Sequence, residues 1–456
     1  MKTNSPFDDW ITDIFCEYIG ITKRRFYENI NWGGKQNSLV QIPKINRTSF
    51  NSLPNLGFKD KQPWISWSGE PLKPYQIQDD RLVFNFDVIT AAGWLLCGCE
   101  EQFFDKRENY GRWDDSQSVV LKSGFTNSPV INIWANVIRD FLVDANVKDG
   151  VPLWPEGKKF AVCLSHDVDN PYYSVHPHIK RFALAIKNRN WPNAKHSLLK
   201  IASSSIINFQ DRFRSSQGFV NIINKEHELG VQSSIFLCPK DPSLTYATNN
   251  DPIYSLDEQV MATSIERARS FGFDLGLHAL MDTAPHKSRY REQCEIIENS
   301  SQRAVTSQRH HYWNLAHQKS SESFVAMADS GIKYDSSLSF YDAPNFRRGV
   351  ALPFSPFCLK SDHQIKLLEI PPMFMDDWLD RDKPLEHVTS WIEKVENVEG
   401  VATLNWHINR FNNRRFLWQG EIYLDVVKNL AKREDVWLAS LSEIGSWWEQ
   451  RREKIL

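Results

Sequence analysis

The run Phe160-Ala-Val-Cys-Leu-Ser-His-Asp-Val-Asp169 constrains this chain more than any other stretch. Five apolar residues in succession, with Pro155 and Gly157 before them and Asn170-Pro171 after, predict a strand buried on both faces. Such strands belong to parallel sheets, where polar residues collect at the strand ends. This one runs directly into His166, Asp167 and Asp169, three candidate ligands or bases within four residues. The plain structural alternative is that Asp169 and Asn170 only start a turn.

After residue 158 strand and helix patterns alternate. Strands are predicted at 160–165, 232–238, 273–277, 303–309, 331–335, 366–370, 400–406 and 435–440. Ser255 and Glu258 read as a capping box before a helix ending at Gly272. Ser320 opens a helix that stops at Gly331, and Pro384 sits in the first turn of one that stops near Gly400. Repeated units of this length imply a parallel sheet with right-handed crossovers, and seven or eight can close into a barrel. The expected fold is therefore α/β, a distorted (β/α)7-8 barrel over 151–456. Residues 172–230 are too long for one crossover, and the basic, aromatic run from His178 to Lys200 predicts a helical insertion or lid. Residues 1–150 mix helical spacing (Trp10 to Tyr18, Val130 to Leu142) with strand alternation from Leu82 to Phe86, and predict an α+β accessory domain. Asp149 to Gly157, rich in Pro and Gly, marks the boundary.

Composition narrows the partners. A net charge of −2 over 456 residues gives no electrostatic reason to expect nucleic acid or an anionic membrane. The longest apolar stretch, Val88 to Cys99, is too short for stable membrane insertion. The first residues lack the apolar core of a signal peptide. Seven cysteines without a CxxC pair read as buried thiols in a reducing compartment, and Cys97-Gly-Cys99 alone is no zinc site. A cytoplasmic protein is expected. Seventeen tryptophans suit sugar rings, but Trp is equally good core filler.

Barrel enzymes carry their chemistry at the carboxyl ends of strands. Here those ends present His166, Asp167 and Asp169, then Pro239, His278, Arg309 and His311, Asp335, Glu369, His407 and Glu443. Four of thirteen histidines fall at these positions. Singly each would more often be structural; together with two aspartates they predict a converging cluster. Carboxylate and imidazole suit a divalent ion such as zinc. Residues two apart on a strand point the same way, so one aspartate of Asp167-Val-Asp169 can bind metal while the other takes a proton from water. Arg309 would orient that base and keep its pKa low.

These residues resemble the polysaccharide deacetylases, the NodB-like carbohydrate esterases that remove N-acetyl groups from sugars, and most of all a bacterial subgroup with His-Asp-Val-Asp in its first motif. The resemblance is carried by Leu164 to Asp169, Leu275 to His278, Arg309 to Tyr312, Gly331 to Leu338, Phe346 to Gly349, Glu369 to Pro371, Asn405 to His407 and Val436 to Leu438, in family order over about two thirds of the chain. The stretch around Glu100-Glu101 and Gly111-Arg112 resembles the accessory region that precedes this subgroup's catalytic part. The resemblance implies a distorted (β/α)7 barrel, Asp167 as catalytic base, Asp169 and His278 as metal ligands, Arg309 as brace of the base and His407 as general acid.

One motif departs from the family. His-x-x-x-His reads His278-Ala-Leu-Met-Asp282, and His286 is eight residues past His278. His311 is the preferred third ligand, with His166 and Asp282 as alternatives. Arg347, Arg348, Glu369 and Trp406 are candidate substrate contacts, the two arginines for a phosphate or carboxylate. The implied function is a zinc-dependent N-deacetylase acting on a carbohydrate in surface polysaccharide synthesis. The alternatives are a metal-free amide hydrolase and a sugar-binding scaffold without activity.

Overall fold

A computed structural model describes residues 5–34, 38–108, 111–147, 149–171, 182–183, 185–187, 189–205, 209–239, 244–248, 250–252, 254–315 and 320–456, with backbone alone for 200–205 and 209–216. Phe160–Val168 is its longest strand, buried at every residue. It lies inside a curled, all-parallel sheet with the order Leu368–Glu369, Tyr334–Asp335, Ser307–His310, Asp274–Ala279, Ser234–Leu237, Phe160–Val168, Val401–Asn405, Phe374–Met375. Its length lets it take two partners along one edge. Val436–Ala439 pairs with Phe160–Cys163, and Ser234–Leu237 pairs with Ser165–Val168.

The outermost strands of this order are joined by only four residues, Ile370 to Met373. Ile370 N–H donates to the Asp335 carbonyl at 2.8 Å on one side, and Met373 N–H to the Thr403 carbonyl at 3.0 Å on the other. Pro371 and Pro372 between them have no N–H to satisfy. One short run thus brings the two edges together, the α/β barrel that the strand–helix rhythm predicts. Each of the eight predicted strands has its counterpart. Phe374–Met375 is additional, because a double proline reads as a strand breaker.

The helices cover the outside. Ser320–Ser330 ends at Gly331 (φ +99°) and Pro384–Glu396 has proline in its first turn, as expected. The predicted capping box forms only by half: Glu258 Oε1 accepts the Ser255 N–H at 3.4 Å, but the helix starts at Gln259 and Ser255 Oγ accepts from Asp257 N–H instead of Glu258 N–H. In the long segment before Ser234, His178 lies outside the described residues, and helices Trp191–Ser205 and Phe209–Glu228 follow. Phe219, Ile222 and Ile223 of the second helix are buried in the core, so its latter half serves as an ordinary crossover helix.

The N-terminal part contains helices Pro6–Ile19, Val88–Leu96 and Val130–Asp144, a mixed four-stranded sheet and the hairpin Asn55–Lys59/Gln62–Ser66. Its core is continuous with that of the barrel. Two tryptophans stitch the seam, their ring nitrogens donating to buried acceptors: Trp10 to the Ser355 carbonyl (2.8 Å) and Trp448 to Glu17 Oε2 (2.6 Å); within the barrel Trp154 donates to the Glu399 carbonyl (2.7 Å). For these residues the core-filling reading of the tryptophan content holds. Among the described residues no helix is long and apolar enough to cross a membrane.

Candidate active site

Alternation along the central strand decides which side chains can meet. Ser165 and Asp167 point inward, His166 and Val168 outward. Arg309, on the strand Ser307–His310, is wholly buried and reaches across to them. Its Nη1 donates to Ser165 Oγ at 2.8 Å and to Asp167 Oδ1 at 3.1 Å, while Nε and Nη2 donate to the carbonyl and hydroxyl of Ser336, both at 2.9 Å. Asn405 Nδ2 donates to Asp167 Oδ2 at 2.7 Å. Burial opposes ionisation of Asp167, but the charges around it, Arg309 first and then His278 and His407, together outweigh it and lower the pKa. Asp167 is therefore an ionised carboxylate held at both oxygens.

Asp169 faces three imidazoles. His278 Nε2 stands 3.2 Å and His311 Nε2 3.7 Å from its Oδ1, and His407 Nε2 3.6 Å from its Oδ2. The other ring nitrogens fix the tautomers. His278 Nδ1 meets the Arg309 carbonyl at 2.9 Å, an acceptor only, so that nitrogen carries the hydrogen. His311 Nδ1 is likewise set against Asp251 Oδ1 at 3.1 Å. In the neutral rings both Nε2 atoms then present lone pairs toward a carboxylate oxygen. Asp169 Oδ1 is buried without a hydrogen-bond partner. Three acceptors converging on one point fit a cation between them, and the oxygen and two imidazole nitrogens suit zinc.

His407 has a different environment. Its Nδ1 lies 3.0 Å from Asp376 Oδ1, and its N–H donates to Asp376 Oδ2 at 2.6 Å. Burial disfavours the charged ring, but Asp376 overrides it and raises the pKa to about 10. The imidazolium therefore keeps a proton on Nε2 at neutral pH. Arg410 also neutralises Asp376, whose pKa lies at about 2 because His407 and Arg410 outweigh its burial. Asp376, Asp377 and His407 form a second group at ligand distance, but Arg410 pairs both carboxylates, so an internal ion-pair network accounts for it.

These groups line a cleft of about 630 Å³ whose wall includes Tyr312, Trp313 and Tyr341. Tyr312 and Trp313 have φ of +57° and +51°, two successive bulky residues in the left-handed region. Such conformations cost about 1–3 kcal/mol each and persist where surroundings over-determine them, often at functional sites. His311 immediately precedes them, so this turn sets both a candidate ligand and the aromatic wall.

Asp251 and Asp376 escape sequence reasoning. Asp376 directly follows the unpredicted strand Phe374–Met375, so the strand-end rule finds it once that strand is known. Asp251 lies in an irregular stretch with no periodic signal. Its Oδ1 also accepts from Met281 N–H at 2.9 Å, and Oδ2 from Thr248 N–H at 2.7 Å. Asp251→Asn is expected to weaken zinc binding by about 10–100-fold through loss of His311 orientation; competition with a chromophoric chelator measures it.

The profile of a family of unknown function, DUF7033, matches residues 21–146, less than half of the chain. No curated protein matches the sequence. Solved structures similar to the chain include a protein of Mycobacterium smegmatis described as a polysaccharide deacetylase (16% identity, TM-score 0.42, 66% of this chain and 94% of that one). Another is Puue allantoinase (13%, TM-score 0.42, 68% and 96%). A third is a protein of Pseudomonas aeruginosa PAO1 described as a polysaccharide deacetylase (11%, TM-score 0.40, 68% and 97%). At these identities and scores the likeness assigns no activity to this chain.

Asp167, Asp169, His278, Arg309, His311 and His407 thus come together, while other expected contributors do not. His166 faces outward, with Nδ1 at 2.8 Å from the Trp406 carbonyl and Nε2 at 2.9 Å from Glu226, because strand parity turns it away from Asp167. Asp282 is exposed and does not join the cluster, and His286 is the exposed residue before helix Lys287–Ser301. Trp406 is fully buried and donates to the Gln419 carbonyl at 3.0 Å. Arg348 is buried and bonded to Glu101, Ser320 and the Leu96 carbonyl, away from the cleft; Arg347 shares Glu101.

Glu369 is also buried, hydrogen-bonded to Asp335, rather than open to substrate. Asp335 Oδ2 and Glu369 Oε2 have no other partner among the described residues, a need that one shared proton meets. Burial, then the Asp335 charge, raises the Glu369 pKa well above its usual value. A raised acid pKa contributes stability that is present at low pH and lost as pH rises through the folded-state value. Glu369→Gln keeps a donor and removes this titration. Urea unfolding at pH 5 and pH 9 is expected to show a smaller alkaline loss in the variant, by on the order of 1 kcal/mol.

Proposed function

We propose that this chain is a metal-dependent hydrolase that removes the N-acetyl group from a sugar. The observation that carries this reading is the meeting of Asp169, His278 and His311 at one point, with an ionised Asp167 and a protonated His407 lining the same cleft. Asp169 Oδ1, His278 Nε2 and His311 Nε2 would hold zinc. Bound there, such an ion eases the ionisation of water and draws electron density from an amide carbonyl. Asp167, fixed by Arg309 and Asn405, accepts a proton from the attacking water. His407, oriented by Asp376, gives the Nε2 proton to the amine nitrogen as the C–N bond breaks, releasing acetate. Tyr312, Trp313 and Tyr341 offer aromatic faces for the sugar ring.

Residues 1–150 would act as an accessory unit to the barrel at 151–456, and surface polysaccharide synthesis is the proposed setting. Six of the seven cysteines are buried and all are free, which supports a reducing, cytoplasmic compartment. Asp282 stands where the resembled motif has its second histidine; His311 supplies a nitrogen at the cluster instead, which supports the hydrolase over the scaffold alternative. An acetate-release screen on N-acetyl sugars with zinc-loaded protein tests the proposal: acetate and free amine in equal amounts are expected. Binding of these sugars without any acetate release would return the scaffold reading.

A further inference from the structure

A second pocket lies beside the reaction cleft, and Tyr312, Trp313 and Tyr341 line both. Its other lining residues include Arg107, Arg112 and Asp115 from the N-terminal part and Arg347 from the barrel. Backbone pairing fixes the two N-terminal arginines: Arg107 bridges to Trp113, and Glu108 N–H donates to the Arg112 carbonyl at 2.9 Å. Arg112 braces the shared wall, its guanidinium 4.1 Å from the centre of the Tyr341 ring and its Nη1 donating to the Tyr312 carbonyl at 3.4 Å.

Among the residues lining the pocket, three arginines (107, 112 and 347) face two carboxylates, Glu101 and Asp115. One oxygen, Glu101 Oε1, serves both Arg347 and Arg348 at 3.1 Å. Arg112 is matched by Glu108, and Asp115 accepts the Tyr341 N–H at 3.0 Å. Arg107 is half-buried, and its guanidinium has no hydrogen bond or ion pair among the described residues. Burial lowers its pKa, a push that Arg347 reinforces and that Glu101 and Asp105 only partly oppose. A desolvated guanidinium beside another favours an incoming anion, and the arginine fork matches the oxygens of a phosphoryl or carboxylate group.

We infer that this pocket is an oxyanion subsite of the same substrate. The sugar rests on the aromatic wall with its acetamido group in the reaction cleft, and a phosphoryl or carboxylate group on that sugar is held by Arg107, Arg112 and Arg347. This rests on the proposed deacetylation and adds to it a substrate class, anionic N-acetyl sugars. It also gives the N-terminal part a share in recognition.

Calorimetric titration of the zinc-loaded full chain with N-acetylglucosamine, N-acetylglucosamine 1-phosphate and N-acetylmuramic acid tests it. At least one anionic sugar is expected to bind about tenfold tighter than the neutral one, and which of the two does so tells phosphoryl from carboxylate. In Arg107→Gln, and separately in Arg112→Gln, that ratio is expected to fall toward one. Anionic sugars that bind no tighter than N-acetylglucosamine, or a preference that survives both substitutions, overturn the inference. Acetate assays on the same samples separate the two claims. Equal turnover of all three sugars rejects the subsite and upholds deacetylation, whereas an arginine-dependent binding preference without acetate upholds the subsite and rejects deacetylation.

Discussion

Asp167→Asn is expected to lower kcat/KM for acetate release by about 10²–10⁴-fold while zinc stays bound. The amide keeps the shape of the carboxylate: its oxygen still accepts from Arg309, and its NH2 can donate to Asn405 Oδ1, which is otherwise without a partner among the described residues, once the Asn405 amide turns over, so the fold around it survives. It cannot take a proton at neutral pH, which is the function proposed for that group. Asp167 meets neither of the candidate ligand histidines in a hydrogen bond; its oxygens go to Arg309 and Asn405. Zinc content measured beside activity therefore decides between base and ligand. A variant that loses zinc along with activity would make Asp167 a ligand, and one with unchanged turnover would remove it from the reaction.

The second large effect concerns His311. His311→Ala takes away one of three converging donors and leaves Asp251 Oδ1 without its imidazole, retaining only the Met281 N–H. Zinc affinity is expected to fall by more than about 100-fold, beyond the loss expected for Asp251→Asn, which acts only through His311. Freed of its partner, the buried Asp251 also lowers fold stability by about 1–3 kcal/mol. Melting of the zinc-free proteins measures that second cost separately. Zinc content equal to wild type in the variant would exclude His311 from the ligand set and reopen the search for a third donor.

The scaffold was more legible in the sequence than the supports of its site. Continuous apolar runs such as Phe160 to Leu164 announce strands buried on both faces, and caps such as Gly331 and Pro384 punctuate the helices between. Strand-end position then selects Asp167, Asp169, His278, Arg309 and His407, because topology alone carries those residues to one rim. What depends on side-chain direction was less accessible. His166 is one residue from Asp167 and faces the opposite way, where Glu226 and not the cleft receives it. Glu369 stands at a strand end yet sits inside the barrel, paired with Asp335 through parallel pairing of their strands. Asp251 and Asp376 orient the imidazoles from an irregular loop and from a two-residue strand, neither of which leaves a periodic trace. The arginines at 347 and 348 read as candidate substrate contacts, and their burial against Glu101 depends on a contact 246 residues away in the chain for Arg347.

The proposed reaction requires a metal centre at the point between Asp169, His278 and His311. Protein purified without chelator, assayed for bound zinc and for acetate release before and after exhaustive chelation, addresses this directly. One zinc per chain, loss of turnover on chelation and recovery with one equivalent of zinc are the predicted results. Undiminished acetate release from protein shown to be free of metal would contradict it.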